Sequence, residues 1–475
     1  MMMDFYEMTM SYGYFRQTHG DVRVAFDLFF RSVPDRGGYA VFAGLEHVIE
    51  FVENLSFSDE DIDYFRAQNL FSEEFLSFLR GFRFRGDIYA VPEGTIIYPN
   101  EPLMTIVAPV IDAQLIETAI LAQINHQSLI ATKASRIVRA AEGRKVSDFG
   151  ARRAHNMDAA TYGARAAYIG GVDMTATVSA GQQFGIPISG TMAHSWVMFF
   201  EDEFTAFKKY AELYPQATVL LVDTYDVLHS GILNAIRTAH EVLAPQGNRL
   251  AGVRIDSGDL AYLSKRVRTM LDDAGLTDCK IILSNSLDEF TISSLLLQGA
   301  QVDSFGVGER LITAKSDPVF GAVYKLVAVE KDGVFLPRIK MSENVEKLTN
   351  PGIKDLYRIY DRHGKAVADM LAMRGEEIDL TKPFRYVDPR KPWKNRFFEG
   401  FSAVNLRRLY VREGQRVEEL PSLDEIRAYV QKQLTEEIWP EEQRFENPHR
   451  HYLDMTPMYY EVKMGLLDDM RGKHS

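Results

Sequence analysis

From Phe82 to Pro109 the apolar positions fall in short runs, Ile88 to Val91, Thr95 to Tyr98 and Leu103 to Val107, split by Pro92, Gly94, Pro99 and Pro102. Short runs broken by proline and glycine predict strands, here a small and mostly antiparallel β unit. Upstream, Ser58-Asp59-Glu60-Asp61 has the form of a capping box, and Ser72 opens a second helix. Downstream, Ile116, Ile120 and Ile124 recur at four-residue spacing. That period predicts a long helix from Asp112 to about Ala141, with Asp112 as its N-cap.

Beyond this helix, short apolar runs alternate with helical patterns: Lys145 to Phe149, Ile186 to Met192, Thr218 to Val222, Leu250 to Ile255, Lys280 to Leu283 and Val302 to Phe305. Strands separated by helices predict parallel pairing in an α/β layer or barrel. Several runs end in polar or glycine-rich clusters: Ser147-Asp148-Phe149-Gly150, Asp223-Thr224-Tyr225-Asp226, Asp256-Ser257-Gly258-Asp259, Ser284-Asn285-Ser286 and Gly306-Val307-Gly308-Glu309. In a barrel those ends share one catalytic face, and in a doubly wound open sheet they also line a site. After about Val329 the chain is expected to be irregular, with Pro351, Pro383, Pro389 and Pro392, before a helix opening at Ser422 with Glu425. The resulting division is an N-terminal α+β domain (1–111), an α/β catalytic domain (112–329) and a C-terminal segment (330–475) that completes the first domain.

A chain of 475 residues exceeds the roughly 250 to 300 residues of a single growing core, so two domains are expected. Hydrophobic residues at 46% and charged residues at 25% fit a globular class. The net charge of −12 opposes non-specific nucleic-acid binding, so an anionic ligand needs local basic residues. The single cysteine, Cys279, excludes an internal disulfide framework and a cysteine-based zinc site, and reads as inert at a strand start. No stretch approaches the roughly 20 apolar residues that span a bilayer, so no membrane association is expected and the cytoplasm is the simplest address.

Gly190-Thr191-Met192-Ala193-His194-Ser195 puts a histidine after an apolar run and before an aromatic-rich helical stretch. Such an imidazole can serve as acid, base or nucleophile toward phosphorus, or simply sit hydrogen-bonded at a helix start. In Arg254-Ile255-Asp256, strand alternation puts the cation and the carboxylate on one face. The guanidinium fork suits a carboxylate or phosphate, and the bland alternative is a structural ion pair. Asp259 reads as the cap of the helix that follows. Gly306-Val307-Gly308 can cradle phosphate, yet the third glycine of a dinucleotide loop and any Walker lysine motif are missing. Phe149 can flank a ring-shaped ligand, although such a residue is more often core.

Together, Asp148-Phe149-Gly150-Ala151-Arg152-Arg153-Ala154-His155, Gly190 to Ser195, Gly252 to Asp259 and Gly321-Ala322-Val323-Tyr324-Lys325-Leu326 resemble the nicotinate phosphoribosyltransferase family in order and spacing. The resemblance extends from Tyr6 through Gly37 to Leu45 and on to Asn447-Pro448-His449. It implies an irregular α/β barrel beside an α+β domain. It also implies joining of nicotinate to phosphoribosyl pyrophosphate, with Mg²⁺ and coupled ATP hydrolysis, to give nicotinate mononucleotide and pyrophosphate. His194 becomes the transiently phosphorylated histidine, and Asp256, or Asp173, steadies the ribosyl cation. Thr191 and Arg254 hold the nicotinate carboxylate, with Phe149 and Arg152 beside them. Tyr6 packs on the ring from a second subunit, which implies a homodimer with shared sites. Ser284, Asn285, Gly306 and Gly308 line the donor phosphate, and Lys340 and Lys347 lie near the pyrophosphate. No residue is assigned to a metal.

One departure stands at Glu309, where several relatives carry threonine, so Glu309 is left out of the site. The rival readings are nicotinamide phosphoribosyltransferase and a non-catalytic binding barrel. Thr177 aligns with a carboxylate of the nicotinamide enzymes, and a hydroxyl there avoids repelling an anion.

Overall fold

The computed structural model describes residues 2–18, 20–340, 348–379, 384–388, 395–398 and 400–474. Lys347, Pro383, Pro389 and Pro392 lie outside the described residues. Contacts divide the chain into two compact units, Met1–Leu129 with Val319–Ser475, and Ile130–Pro318.

In the first unit, the strand Arg23–Phe29 pairs antiparallel with Met104–Pro109 on one side and Val323–Lys331 on the other, inside a seven-stranded sheet. Asp27 on this strand is buried, and it accepts from Lys354 Nζ at 2.5 Å and from the Thr105 hydroxyl. Of the expected antiparallel β unit, Asp87–Ala90 pairs with Met104–Pro109 in this sheet, whereas Ile96–Ile97 pairs with Ala40–Val41 in a separate two-stranded sheet. The helix starts at Ser58 and Ser422 are capping boxes with Asp61 and Glu425, while Ser72 accepts from the Phe75 N–H.

Two expectations fail in this unit. Asp112 does not cap the long helix, which spans Glu117–Ala140 after a short helical turn, Val110–Gln114. Its buried carboxylate instead binds the Arg85 backbone N–H and guanidinium, both at 2.8 Å. The stretch after Val329 is not irregular either. Lys354–Tyr360 and Ala366–Met373 form an antiparallel pair, with Leu453–Met455 parallel to the second strand. On that pair Arg358 and Asp369 meet at 2.7 Å with both side chains fully buried. His451 joins them, stacked on Tyr98 at 3.8 Å between ring centres, with Nδ1 3.1 Å from Glu442 and Nε2 3.5 Å from Asp369.

The second unit holds six strands: β1 (Lys145–Asp148), β2 (Met174–Thr175), β3 (Val219–Leu221), β4 (Gly252–Ile255), β5 (Lys280–Ser284) and β6 (Ser304–Val307). They pair in the order β2-β1-β6-β5-β4-β3, all parallel. Leu220, Val253, Ile255, Ile281, Leu283 and Phe305 are fully buried along them, as expected for strands covered on both faces. The main-chain ladder does not close into a barrel among the described residues, and β2 and β3 are its edges. Nor is Ile186 to Met192 a strand. Only Ile188 bridges Thr175, because Pro187 offers no N–H and Gly190 adds no packing side chain. Among the described residues, no helix is long and apolar enough to cross a membrane.

Candidate active site

Parallel strands send their C-terminal ends to one rim, and the polar clusters of the second unit meet there. At the end of β1, the buried Asp148 accepts from the Gly150 N–H at 2.8 Å and from the Thr175 hydroxyl at 2.7 Å. Burial raises its pKa, and these two hydrogen bonds only partly offset that. They lock the turn that carries Phe149, whose backbone N–H reaches Val307 O at 2.7 Å. A Cβ on Gly306 would stand 2.5 Å from the Phe149 ring, so this glycine is required by the ring that lies over it. We expect Gly306→Ala to lower stability by about 1–3 kcal/mol through overpacking. An unchanged urea midpoint would show that the ring is free to move.

Arg254 on β4 is 11% exposed and makes three polar contacts. Nε donates to Ser284 Oγ at 2.9 Å, Nη1 to Thr191 Oγ1 at 3.0 Å, and Nη2 stands 3.3 Å from Asp256 Oδ1. Its guanidinium carbon lies 5.3 Å from the centre of the Phe149 ring. Asp256 also accepts from the Ser284 hydroxyl, and its backbone N–H donates to Asp223 Oδ2 at 3.2 Å. His194 opens the helix His194–Phe199, with Nδ1 3.1 Å from Thr224 Oγ1 and Nε2 4.0 Å from Asp256 Oδ2. A half-exposed imidazole, a carboxylate, a nearly buried guanidinium and an aromatic face thus border one space. The segment Ile188 to His194 leaves edge strand β2 at the Ile188 bridge and reaches β4 and the end of β3 through the Thr191 and His194 side chains.

Family models cover most of the chain: the nicotinate phosphoribosyltransferase N-terminal domain at residues 1–125, the family proper at 144–347 and the C-terminal domain at 353–463. The chain belongs to the nicotinate phosphoribosyltransferase family. It is 45% identical to the nicotinate phosphoribosyltransferase of Bacillus subtilis (strain 168), over 99% of this chain and 95% of that protein. It is 34% identical to the Caenorhabditis elegans nicotinate phosphoribosyltransferase, over 97% and 92%. The crystal structure of human nicotinic acid phosphoribosyltransferase superposes with a TM-score of 0.88 at 28% identity, covering 98% of this chain and all of that one.

Within this family member, the structure brings His194, Asp256, Arg254, Thr191, Phe149 and Ser284 together. Asn285 follows Ser284 on the same rim with a left-handed φ of 104°, and Ser286 continues it at 44°. Gly308 starts the turn after β6. Arg152 is exposed in the turn Ala151–Arg153, with no described contact to this group. Asp173, just before β2, accepts from the Val146 N–H at 2.9 Å. Asp259 caps its helix through the Tyr262 N–H, and burial pushes the Cys279 thiol up to about 12. Glu309 turns to Lys315 at 2.6 Å, which lowers its pKa, while Arg310 pairs with Asp288. Tyr6 and Lys340 belong to the first unit. There the Tyr6 hydroxyl bonds Glu117, and the exposed Lys340 offers its N–H to Thr349 at 3.4 Å. The sequence reading left Asp223 and Thr224 without a role, although their polar cluster at the end of β3 was its visible signal.

Proposed function

We propose that this chain joins nicotinate to phosphoribosyl pyrophosphate, releasing pyrophosphate and nicotinate mononucleotide, with ATP hydrolysis coupled through a phosphate on His194. The observation that carries this reading is Arg254, an almost buried cation beside the Phe149 ring with two hydroxyls on its fork. A flat aromatic carboxylate answers both features: the ring lies against Phe149 and the carboxylate meets Arg254 and Thr191. On this reading Arg152 lies at the mouth, and Tyr6 of a second copy in a homodimer completes the sandwich. The turns at Ser284, Asn285, Gly306 and Gly308 take the donor phosphate through backbone N–H groups, and Lys340 and Lys347 serve the pyrophosphate. We read the six-stranded sheet, with Ile188 to His194 along its seam, as an irregular barrel.

The nicotinate nitrogen bonds to C1 of the ribose as the C1–oxygen bond to pyrophosphate breaks. Positive charge develops on the sugar, and Asp256, held by Arg254 and Ser284, faces it without needing to reorganise. Among the described residues, no three or more His, Cys, Asp or Glu side chains form a metal cage. That fits Mg²⁺, which binds chiefly to substrate phosphates and water with one or two carboxylates. Asp223, whose Oδ1 is buried without a hydrogen-bond partner, and Asp256 would hold it. There the ion supplies charge neutralisation for the departing pyrophosphate.

Pyrophosphate release should follow mixing of the ribosyl donor with nicotinate, faster with ATP and far slower with nicotinamide. Label from the γ-phosphate of ATP should reach the protein as an acid-labile bond and vanish in His194→Asn. Absence of release with either base sinks the enzyme reading, and label that survives the substitution moves the phosphoacceptor elsewhere.

A further inference from the structure

The geometry points to Thr224 as a positioning residue that fixes which nitrogen of His194 receives phosphate and steadies the ring once it is phosphorylated. The inference rests on the phosphohistidine reading above. His194 Nδ1 lies 3.1 Å from Thr224 Oγ1, while Nε2 stands 4.0 Å from the nearest carboxylate oxygen, beyond hydrogen-bonding reach. Nε2 is therefore the nitrogen left open to an incoming phosphorus. When its lone pair attacks the γ-phosphorus, the nitrogen–phosphorus bond forms as the bridging oxygen–phosphorus bond breaks, and ADP leaves with that electron pair. The ring gains positive charge and its only remaining N–H is at Nδ1. A hydroxyl oxygen accepts from that N–H, whereas an aliphatic side chain would leave it unpaired.

The placement of Thr224 is itself fixed from behind. Its neighbour Asp223 accepts from the Asp256 N–H at 3.2 Å and from the Ser257 hydroxyl at 2.5 Å. The preceding Val222 donates to Arg254 O at 3.1 Å. A Cβ on Gly231 would stand 1.8 Å from Val222 O, so the helical turn behind β3 closes down on this same strand end. One turn thus aims the imidazole through Thr224 and holds the carboxylate loop through Asp223.

The test is the initial rate of acid-labile, alkali-stable γ-phosphate labelling in the full chain. Thr224→Val should slow it about tenfold or more, as for a lost hydrogen bond to a charged group, and Thr224→Ser should label within about threefold of the parent. Labelling of Thr224→Val at the parent rate, or a serine variant as slow as the valine one, overturns the inference alone. Failure of the parent chain to label overturns the phosphohistidine reading and this inference with it. A second measurement needs no substitution at Thr224: the ¹⁵N spectrum of histidine-labelled protein after ATP, with His194 assigned by its loss in His194→Asn. A protonated Nδ1 is the expected signature, and phosphate on Nδ1 overturns the assignment.

Discussion

Arg254→Ala is expected to lower kcat/KM for nicotinate by roughly two to three orders of magnitude, mostly through KM. The substitution removes a nearly buried guanidinium that bonds Ser284 and Thr191 and leaves Asp256 without its counter-charge. Truncating one partner of such a pair costs about 2–5 kcal/mol, and each 1.36 kcal/mol is about tenfold. Arg254→Lys should recover little, because a compact ammonium cannot span two acceptors in the plane of a fork. Nicotinamide makes the control: it carries no charge for Arg254 to meet, so its own kcat/KM should fall less. Equal losses for the two bases would mean that Arg254 acts through the fold rather than on the carboxylate.

The second large effect is on stability. Asp369→Asn should cost about 3–5 kcal/mol, because it takes from the fully buried Arg358 guanidinium its paired carboxylate and leaves it beside Glu101, whose ionisation burial opposes. The denaturant midpoint reads this, and a loss under about 1 kcal/mol would show that the pair is replaceable. The pH dependence has two signs. Burial opposes ionisation of Asp369, but Arg358 outweighs it and holds the carboxylate well below its ordinary range. Its contribution is present above the unfolded pKa of about 3.9 and is lost as pH falls through the depressed folded value. Burial likewise opposes the charged form of His451, but Asp369 and Glu442 outweigh it and raise its pKa. That contribution is full below the unfolded value of about 6.5 and is lost as pH rises through the folded one. The alkaline decline should therefore flatten in Asp369→Asn, which removes one of the two carboxylates.

What could be read from the chain follows the range of the forces involved. The caps at Ser58, Ser422 and Asp259 are local hydrogen bonds, and they stand where the sequence put them. Arg254 and Asp256 share a face because a strand has a period of two. Ile186 to Met192 misled because its apolar pattern says nothing about the missing N–H of Pro187. The sheet after Lys354 was hidden because Leu453–Met455 pairs with a strand far behind it in sequence. The need for a glycine at position 306 comes from the Phe149 ring beside it, a contact that no spacing encodes. The contact of Thr224 carries no signal in the sequence because its partner, His194, opens a helix 30 residues earlier in the chain.

Because Ile188 to His194 touches both edges of the sheet, the second unit is fastened by a clasp rather than woven shut. The strands are held by main-chain ladders and Ile188 by a main-chain bridge to Thr175, and past it the Thr191 and His194 side chains make the links. On the proposed reading, a carboxylate that meets Arg254 and Thr191 lands on one of these stitches. Filling of the pocket and a change in the seam then become a single event, which amide exchange in residues 188–194 is expected to report.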